Sequence, residues 1–120
     1  MADKLRIEKL EEQIKRDLST LILKRARDAR LKTVAIMGVR VTRDLELAKV
    51  YVSILGQDSE IKEVLEALEK ASGFFRSELG ALLGLRRVPE LRFILDNTLE
   101  ESMRIEGLFK ELGYPDNVDE

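Results

Sequence analysis

The side chains of this sequence that are best suited to chemistry are its arginines and lysines, which offer donors to phosphate oxygens. A basic run starts at Lys24 and continues through Arg27 and Arg30 to Lys32. The planar guanidinium group presents paired N–H donors that match two oxygens of one phosphate. The sequence has no cysteine and no histidine, which removes thiolate metal sites and the commonest general base. We therefore predict a binding protein rather than an enzyme, with no metal and no cofactor.

The charges are unevenly distributed along the 120 residues. Residues 1–50 carry 13 Lys/Arg and 8 Asp/Glu, a balance of +5, and residues 51–120 carry 8 and 15, a balance of −7; together they give the net charge of −2. A basic half on an acidic protein favours a localised patch for a polyanion. An ordinary salt-bridged surface would give the same totals, and cations at the end of a first helix would also complement its dipole. Charge alone leaves these alternatives open.

Length and hydropathy predict one α+β domain. We place it at residues 1–113, followed by a short acidic tail at 114–120. No apolar run approaches the roughly 20 residues that span a bilayer, and the N-terminus lacks the apolar segment of a signal peptide. We therefore expect a cytoplasmic protein that does not bind a membrane. We also expect a monomer. No DNA-recognition helix is identifiable, so we also expect no DNA partner.

Hydrophobic periodicity gives the order of the elements that position the basic residues. Val34 and Ile36 alternate, and Val39 and Val41 alternate in the opposite phase, which predicts a β-bulge near Gly38. The resulting order, α-β-β-α(kinked)-β-α, predicts a three-stranded sheet with helices packed on one face. The predicted elements are a helix over 4–29, strands over 33–42 and 47–55, a helix from an N-cap at Asp58 or Ser59 to a stop at Gly84, a strand over 91–95, and a last helix opened by a capping box at 98–101.

The second helix contains an unusual segment of small residues, Ala71-Ser72-Gly73. A glycine inside a helix costs roughly 1 kcal/mol relative to alanine. Because the apolar side chains keep one helical phase from Ile61 to Leu83, we predict a kink within one buried face rather than a loop. Gly73 either makes room for a crossing element or lets a ligand approach the backbone. Phe75 lies on the apolar stripe and is expected in the core, whereas Phe74 lies off it and covers the kink or meets the last helix.

Five stretches together resemble the ribosome-binding factor A family, which has the fold of a type II KH domain. Each stretch is weak alone, but their order and spacing are specific, and they extend over about residues 4–112. Two positions depart from the pattern: the family commonly has proline where Ala29 stands, so helix one could run longer, and serine where Thr98 stands. The stretches are Asp28-Ala29-Arg30-Leu31, residues 38–45, residues 48–53, residues 71–76, and residues 85–93 with Asp96.

The resemblance implies a function in ribosome assembly. Members of the family bind the free 30S small ribosomal subunit and its 16S rRNA late in maturation, support processing of the 16S rRNA ends, and matter most in the cold. They carry an Ala-x-Gly kink, here Ala71-Ser72-Gly73, where other KH domains carry a G-x-x-G loop that clamps nucleic-acid backbone. An alternative function is a protein-interaction module whose basic face binds an acidic partner protein.

We predict an RNA-binding site that combines the basic side chains with the small-residue segment. Arg86 and Arg87 could instead be a solvated connection before Pro89, and Arg76 could pair with Glu69 or Glu78. Arg25 falls near the apolar stripe and could serve a structural role there. The predicted RNA-binding residues are Lys24, Arg27, Arg30, Lys32, Arg43, Ala71, Ser72, Gly73, Arg76, Arg86 and Arg87.

Overall fold

The computed structural model describes residues 3–24 and 27–97. The α+β class is confirmed, with two α-helices and a three-stranded sheet in that part of the chain. The predicted last helix after Thr98, the tail at 114–120 and Arg25 lie outside the described residues. The elements are α1 (Lys4–Lys24), a short 3-10 helix (Ala29–Thr33), β1 (Val34–Val41), β2 (Leu47–Ile54), α2 (Asp58–Leu83) and β3 (Glu90–Leu95).

The sheet has the order β1-β2-β3, with β1 antiparallel and β3 parallel to the central β2. The register between β1 and β2 shifts between Ile36 and Gly38, so Met37 has no partner opposite it. This confirms the bulge that the change of phase predicts. Without the bulge, the apolar side chains before Met37 and those after it would face opposite sides of the sheet. The extra residue shifts the alternation by one position, so that both sets lie on the same face.

The core lies between the sheet and both helices. Every second residue of β2, from Ala48 to Ile54, is fully buried. Ile14 and Leu18 of α1 and Leu68 of α2 are fully buried against the same face, and burying each such side chain stabilises the fold by about 1.5–3 kcal/mol. The predicted alternation of β2 and the packing of helices on one face are therefore confirmed.

The first helix ends earlier than its composition predicts. It is described as far as Lys24, and residues 27 and 28 belong to no helix, so the predicted extension to Ala29 is wrong. Asp28 caps the 3-10 helix by accepting a hydrogen bond from the Arg30 N–H at 3.0 Å. Leu31 is buried in the core, and this burial requires the chain to leave the axis of α1 before residue 31. A buried anchor thus overrides local helix propensity.

The second helix is continuous over all 26 residues from Asp58 to Leu83. Its N-cap is Gln57, so the prediction of Asp58 or Ser59 is wrong: the Glu60 carboxylate accepts the Gln57 N–H at 3.0 Å and satisfies that end of the helix instead. Gly84 ends the helix at a φ of 65°, as predicted, because glycine adopts the left-handed conformation without strain. The Ala71-Ser72-Gly73 segment is helical and not a loop, and a bend of the axis there stays a prediction.

Side chains bind backbone groups on the β1 edge of the sheet and at the end of β2. On the β1 edge, Glu11 of α1 accepts the Val41 N–H at 2.9 Å. Beyond β3, the side-chain amide of Asn97 accepts the Ile54 N–H at 3.1 Å and donates to the Ile54 carbonyl at 3.4 Å. Asn97 thereby extends the pairing of β2 by one position after β3 has ended. None of the helices in the described ranges is long and apolar enough to cross a membrane.

Candidate nucleic-acid interface

The Ala71-Ser72-Gly73 segment lies on the surface of α2. Gly73 is exposed, and a Cβ added there would meet no heavy atom within 4 Å. Among the described residues, therefore, no crossing element requires a glycine at this position. The N–H groups of the segment belong to an uninterrupted α-helix, where they donate to carbonyls four residues earlier. The segment can let a ligand approach the helix closely, but it cannot clamp a phosphate with backbone N–H groups.

On one side of this segment, between the 3-10 helix and α2, lies a groove of about 420 Å³, which we call the helix groove. Arg27 and Lys70 contribute cationic side chains to it and have no ion pair within residues 3–24 and 27–97. Its walls are otherwise mainly apolar. The lining residues are Arg27, Asp28, Arg30, Leu31, Ala67, Lys70, Ala71, Phe74 and Phe75.

Arg30 lines the helix groove but is already engaged by Asp28. The Arg30 Nε donates to both Asp28 oxygens, at 3.0 and 3.1 Å, and the Nη2 donates to Oδ2 at 2.6 Å. These hydrogen bonds lower the pKa of Asp28 from 3.8 to about 2. The Glu63 carboxylate also lies near Arg30, with 3.8 Å between its Oε2 and the Arg30 Nη1. Because a carboxylate already occupies its fork, Arg30 is a poorer candidate for phosphate binding than Arg27.

On the other side of the segment, between α2 and β3, lies a second groove of about 300 Å³, the strand groove. Glu69, Ser72, Gly73 and Arg76 form its α2 side, so one carboxylate and one guanidinium group lie on that side. Its β3 side is close to electrically neutral, since Arg92 pairs with Glu90 at 3.5 Å. Ala71 and Gly73 thus face different grooves on the two sides of one helix.

Arg76 joins the strand groove to a third groove. Its Nη2 donates to the Val88 carbonyl at 2.9 Å, so the predicted alternative of an ion pair with Glu69 is wrong. The third groove, the hairpin groove, has a volume of about 550 Å³ and lies between the β1–β2 turn and the connection before β3. Arg86 and Arg87 line it, both exposed and without an ion pair in the described part of the chain.

The β1–β2 turn gives the hairpin groove an acidic wall. Asp44 accepts hydrogen bonds from the Thr42 hydroxyl at 2.6 Å and from the Glu46 N–H at 3.0 Å. The hydroxyl contact, followed by the backbone contact, lowers the pKa of Asp44. Leu45 between them adopts a φ of 62°, which is unusual for a residue with a side chain. Three arginines facing Asp44 and Glu46 leave the groove with a small positive excess.

The structure brings together eight of the predicted site residues and leaves three apart. Lys24 and Lys32 are exposed but line none of the three grooves. Arg43 lies beside Arg40 at the N-terminal end of α1. The residues at the three grooves are Arg27, Arg30, Ala71, Ser72, Gly73, Arg76, Arg86 and Arg87.

Sequence reasoning missed two residues of the helix groove, Lys70 and Phe74. Lys70 belongs to an alternating charged stretch and carries no separate signal. The position of Phe74 off the apolar stripe is the signal that could have identified it as a surface residue. Phe74 is 41% exposed. Phe75 is fully buried, as predicted.

Comparisons with known proteins agree with the resemblance. Residues 6–109 match the model of the family described as Ribosome-binding factor A. The chain is 42% identical over 113 residues to Ribosome-binding factor A of Staphylococcus carnosus (strain TM300), covering 94% of this chain and 98% of the relative.

A crystal structure and a fitted homology model, both of proteins from Thermus thermophilus, are similar in fold. One is the crystal structure of ribosome-binding factor A from that organism, with a TM-score of 0.66, 29% identity, and coverage of 74% of this chain and 94% of the other. The second is a homology model of the Thermus thermophilus factor fitted into the cryo-EM map of its complex with the 30S subunit. It has a TM-score of 0.61, 30% identity, and coverage of 72% of this chain and 90% of the other.

Proposed function

Because the chain belongs to the ribosome-binding factor A family, we propose that it binds the free 30S small ribosomal subunit through 16S rRNA. In this proposal it is a monomeric cytoplasmic assembly factor without catalytic activity. It assists late 30S maturation and processing of the 16S rRNA ends, above all in the cold. Residues 1–113 are its RNA-binding domain, and residues 114–120 are an acidic tail. The complex of the Thermus thermophilus relative with 30S supports this proposal.

One observation carries the proposal: basic side chains flank both sides of a small-residue segment on α2 whose Gly73 is exposed. Arg27 and Lys70 lie on the helix-groove side, and Arg76 lies on the strand-groove side. Small residues let a phosphodiester backbone come close to the helix surface. Long cationic side chains on both sides can then reach its phosphates, and such contacts dominate the affinity of RNA-binding proteins.

Binding of this kind differs from that of a G-x-x-G loop. The helical N–H groups of residues 71–73 are committed to the helix, so phosphates must be bound by side chains. Affinity should therefore fall steeply as salt rises, because each neutralised phosphate releases counterions. Base sequence should matter less than backbone shape and the position of the phosphates.

Co-sedimentation with purified 30S subunits in increasing salt tests the proposal. We expect binding by the wild-type chain that weakens as salt rises. The double variant Arg27→Glu with Lys70→Glu should bind about tenfold more weakly or worse. Lys9→Glu with Arg16→Glu is the matched control, because it makes the same change of net charge: both residues are exposed on α1 and line none of the three grooves.

Two outcomes would contradict the proposal. The first is 30S binding that does not change with salt. The second is binding that persists on subunit protein fractions free of rRNA, which would favour an acidic protein partner. Circular dichroism of each variant shows whether the fold is intact.

A further inference from the structure

We propose that Phe74 is a stacking site for one unpaired RNA base, with Arg27 and Lys70 binding the phosphates next to that base. The site lies in the helix groove and rests on the proposed RNA-binding function. It adds to that function a chemical class of ligand, a single-stranded nucleotide, and a contact made by an aromatic side chain rather than by charge.

Phe74 has a geometry suited to stacking. Its side chain is 41% exposed, while the adjacent Phe75 is fully buried. The two ring centroids lie 5.6 Å apart, and the ring of Phe75 lies 6.4 Å from that of the buried Phe93. A row of three rings therefore runs from the core to the surface. Because Phe74 rests on a buried ring, its own ring is held in place while part of it stays open to solvent.

The groove around Phe74 has a suitable size and charge for a nucleotide. Its volume of about 420 Å³ lies within the range of small-molecule sites, roughly 300–1,000 Å³. Arg27 and Lys70 supply two positive charges without ion pairs in the described ranges. The one carboxylate of the groove, Asp28, is compensated by Arg30 through two oxygens. An aromatic platform beside free cations is the combination by which proteins bind single-stranded RNA.

A protein partner fits this site less well. Stable protein interfaces bury about 1,200–2,000 Å² in total, whereas the apolar surface here is one ring and the short side chains beside it. A base needs only one aromatic face, and its own phosphates satisfy the neighbouring cations. The charges and the small apolar area therefore favour a nucleotide over a protein surface.

Fluorescence of a Phe74→Trp variant tests the proposal, because the sequence contains no tryptophan. A short single-stranded oligoribonucleotide should quench this tryptophan on binding, and an abasic strand with the same number of phosphates should quench it far less. Leu5→Trp is the control, since Leu5 is exposed near the start of α1 and lines none of the three grooves. Its emission should not change with either strand.

Affinities for the same oligoribonucleotide provide a second measurement. Phe74→Tyr should bind like the wild type, while Phe74→Ala and Phe74→Leu should bind roughly 5- to 150-fold more weakly. Leucine keeps an apolar side chain of similar size, so its loss of affinity separates the aromatic face from apolar burial. Thermal melting of each variant reports whether the fold is retained.

The outcomes separate this inference from the proposed function. Equal quenching by the abasic strand, or wild-type affinity of Phe74→Leu, would overturn the stacking site. The emission of the Phe74→Trp variant provides a further test. If it is blue-shifted without RNA and does not change when RNA is added, the ring is covered and the stacking site is overturned. If the stacking site is overturned but the wild type still co-sediments with 30S, the proposed function is kept without the stacking site. If the wild type does not co-sediment with 30S, the proposed function itself fails.

Discussion

The Glu11 carboxylate accepts a hydrogen bond from the Val41 N–H at 2.9 Å and thereby joins α1 to the outer edge of β1. The Glu11 side chain is only 12% exposed, and its other oxygen lies 3.9 Å from the Arg40 guanidinium group. Edge strands expose N–H groups that can pair with other chains, and a charged side chain over the edge prevents such pairing. Glu11 therefore contributes to the stability of the fold and to its solubility.

Removal of this hydrogen bond should destabilise the fold. Glu11→Ala leaves the Val41 N–H without its acceptor, so we expect the free energy of unfolding to fall by about 1.5–3 kcal/mol. Glu11→Gln keeps an acceptor oxygen and should lose less. Urea denaturation followed by circular dichroism measures both. Glu12→Ala, at the exposed neighbouring position, should stay within about 0.5 kcal/mol of the wild type; an equal loss there would contradict the role of Glu11.

Gly73→Ala should stabilise the protein. The position is helical and exposed, and the added methyl group meets nothing within 4 Å. Alanine is favoured over glycine in a helix, so we expect a gain of about 0.5–1 kcal/mol in the free energy of unfolding. Thermal or urea denaturation measures it. A loss of stability would mean that a residue outside the described ranges packs against Gly73.

A larger side chain at position 73 should weaken RNA binding without harming the fold. Gly73→Gln fills the space above the helix surface, and displacing one phosphate contact there should weaken 30S binding roughly threefold or more. Ala81→Gln is a matched control, because Ala81 is exposed on the same helix. Co-sedimentation with 30S measures both variants. Unchanged binding by Gly73→Gln would exclude close approach of RNA at this position.

Neutralisation of Arg86 and Arg87 should reduce the salt dependence of binding. Each is exposed and without an ion pair in the described part of the chain. If each contacts one phosphate, each change to glutamine lowers the slope of log K against log salt by about 0.7–0.9. Arg16→Gln should leave the slope unchanged. Titration with rRNA fragments at several salt concentrations provides the slopes, and a wild-type slope for the double variant would assign Arg86 and Arg87 to a solvated connection.

The Asp28–Arg30 pair should make stability depend on pH below 4. The pKa of Asp28 is lowered from 3.8 to about 2 by its hydrogen bonds to Arg30. A carboxyl group with a lowered folded-state pKa stabilises the fold above its unfolded pKa, and the contribution is lost as pH falls through the folded value. Asp28→Asn should therefore be less stable than the wild type at pH 7, and urea denaturation should show the difference shrinking between about pH 4 and 2. High salt should also shrink it.

The sheet could be predicted from the sequence because its signals are local. Alternation in β2 places Ala48 and Val50 on one face, and the change of phase around Met37 gives the bulge. The end of α1 could not be predicted, because residues 25–32 contain no helix breaker. Its cause is tertiary: Leu31 is buried, and Asp28 caps a separate turn.

The candidate site was predictable in composition but not in arrangement. Spacing along α2 placed Arg76 near the small-residue segment. Spacing could not show that the Asp28 carboxylate binds the Arg30 guanidinium group, or that the Val88 carbonyl accepts a hydrogen bond from Arg76. Both contacts depend on the path of the connections between the elements. The exposure of Phe74 depends in the same way on what lies across the groove from it.

The unbroken course of α2 has a mechanical consequence. Its 26 residues have a length of about 39 Å along the helix, and the walls of the helix groove and the strand groove are opposite sides of that helix. Phe74 and Arg76 lie two residues apart on this helix, so their spacing is kept when a ligand binds. In the proposed complex with RNA, conformational adjustment around Phe74 and Arg76 therefore falls to the RNA strand rather than to α2.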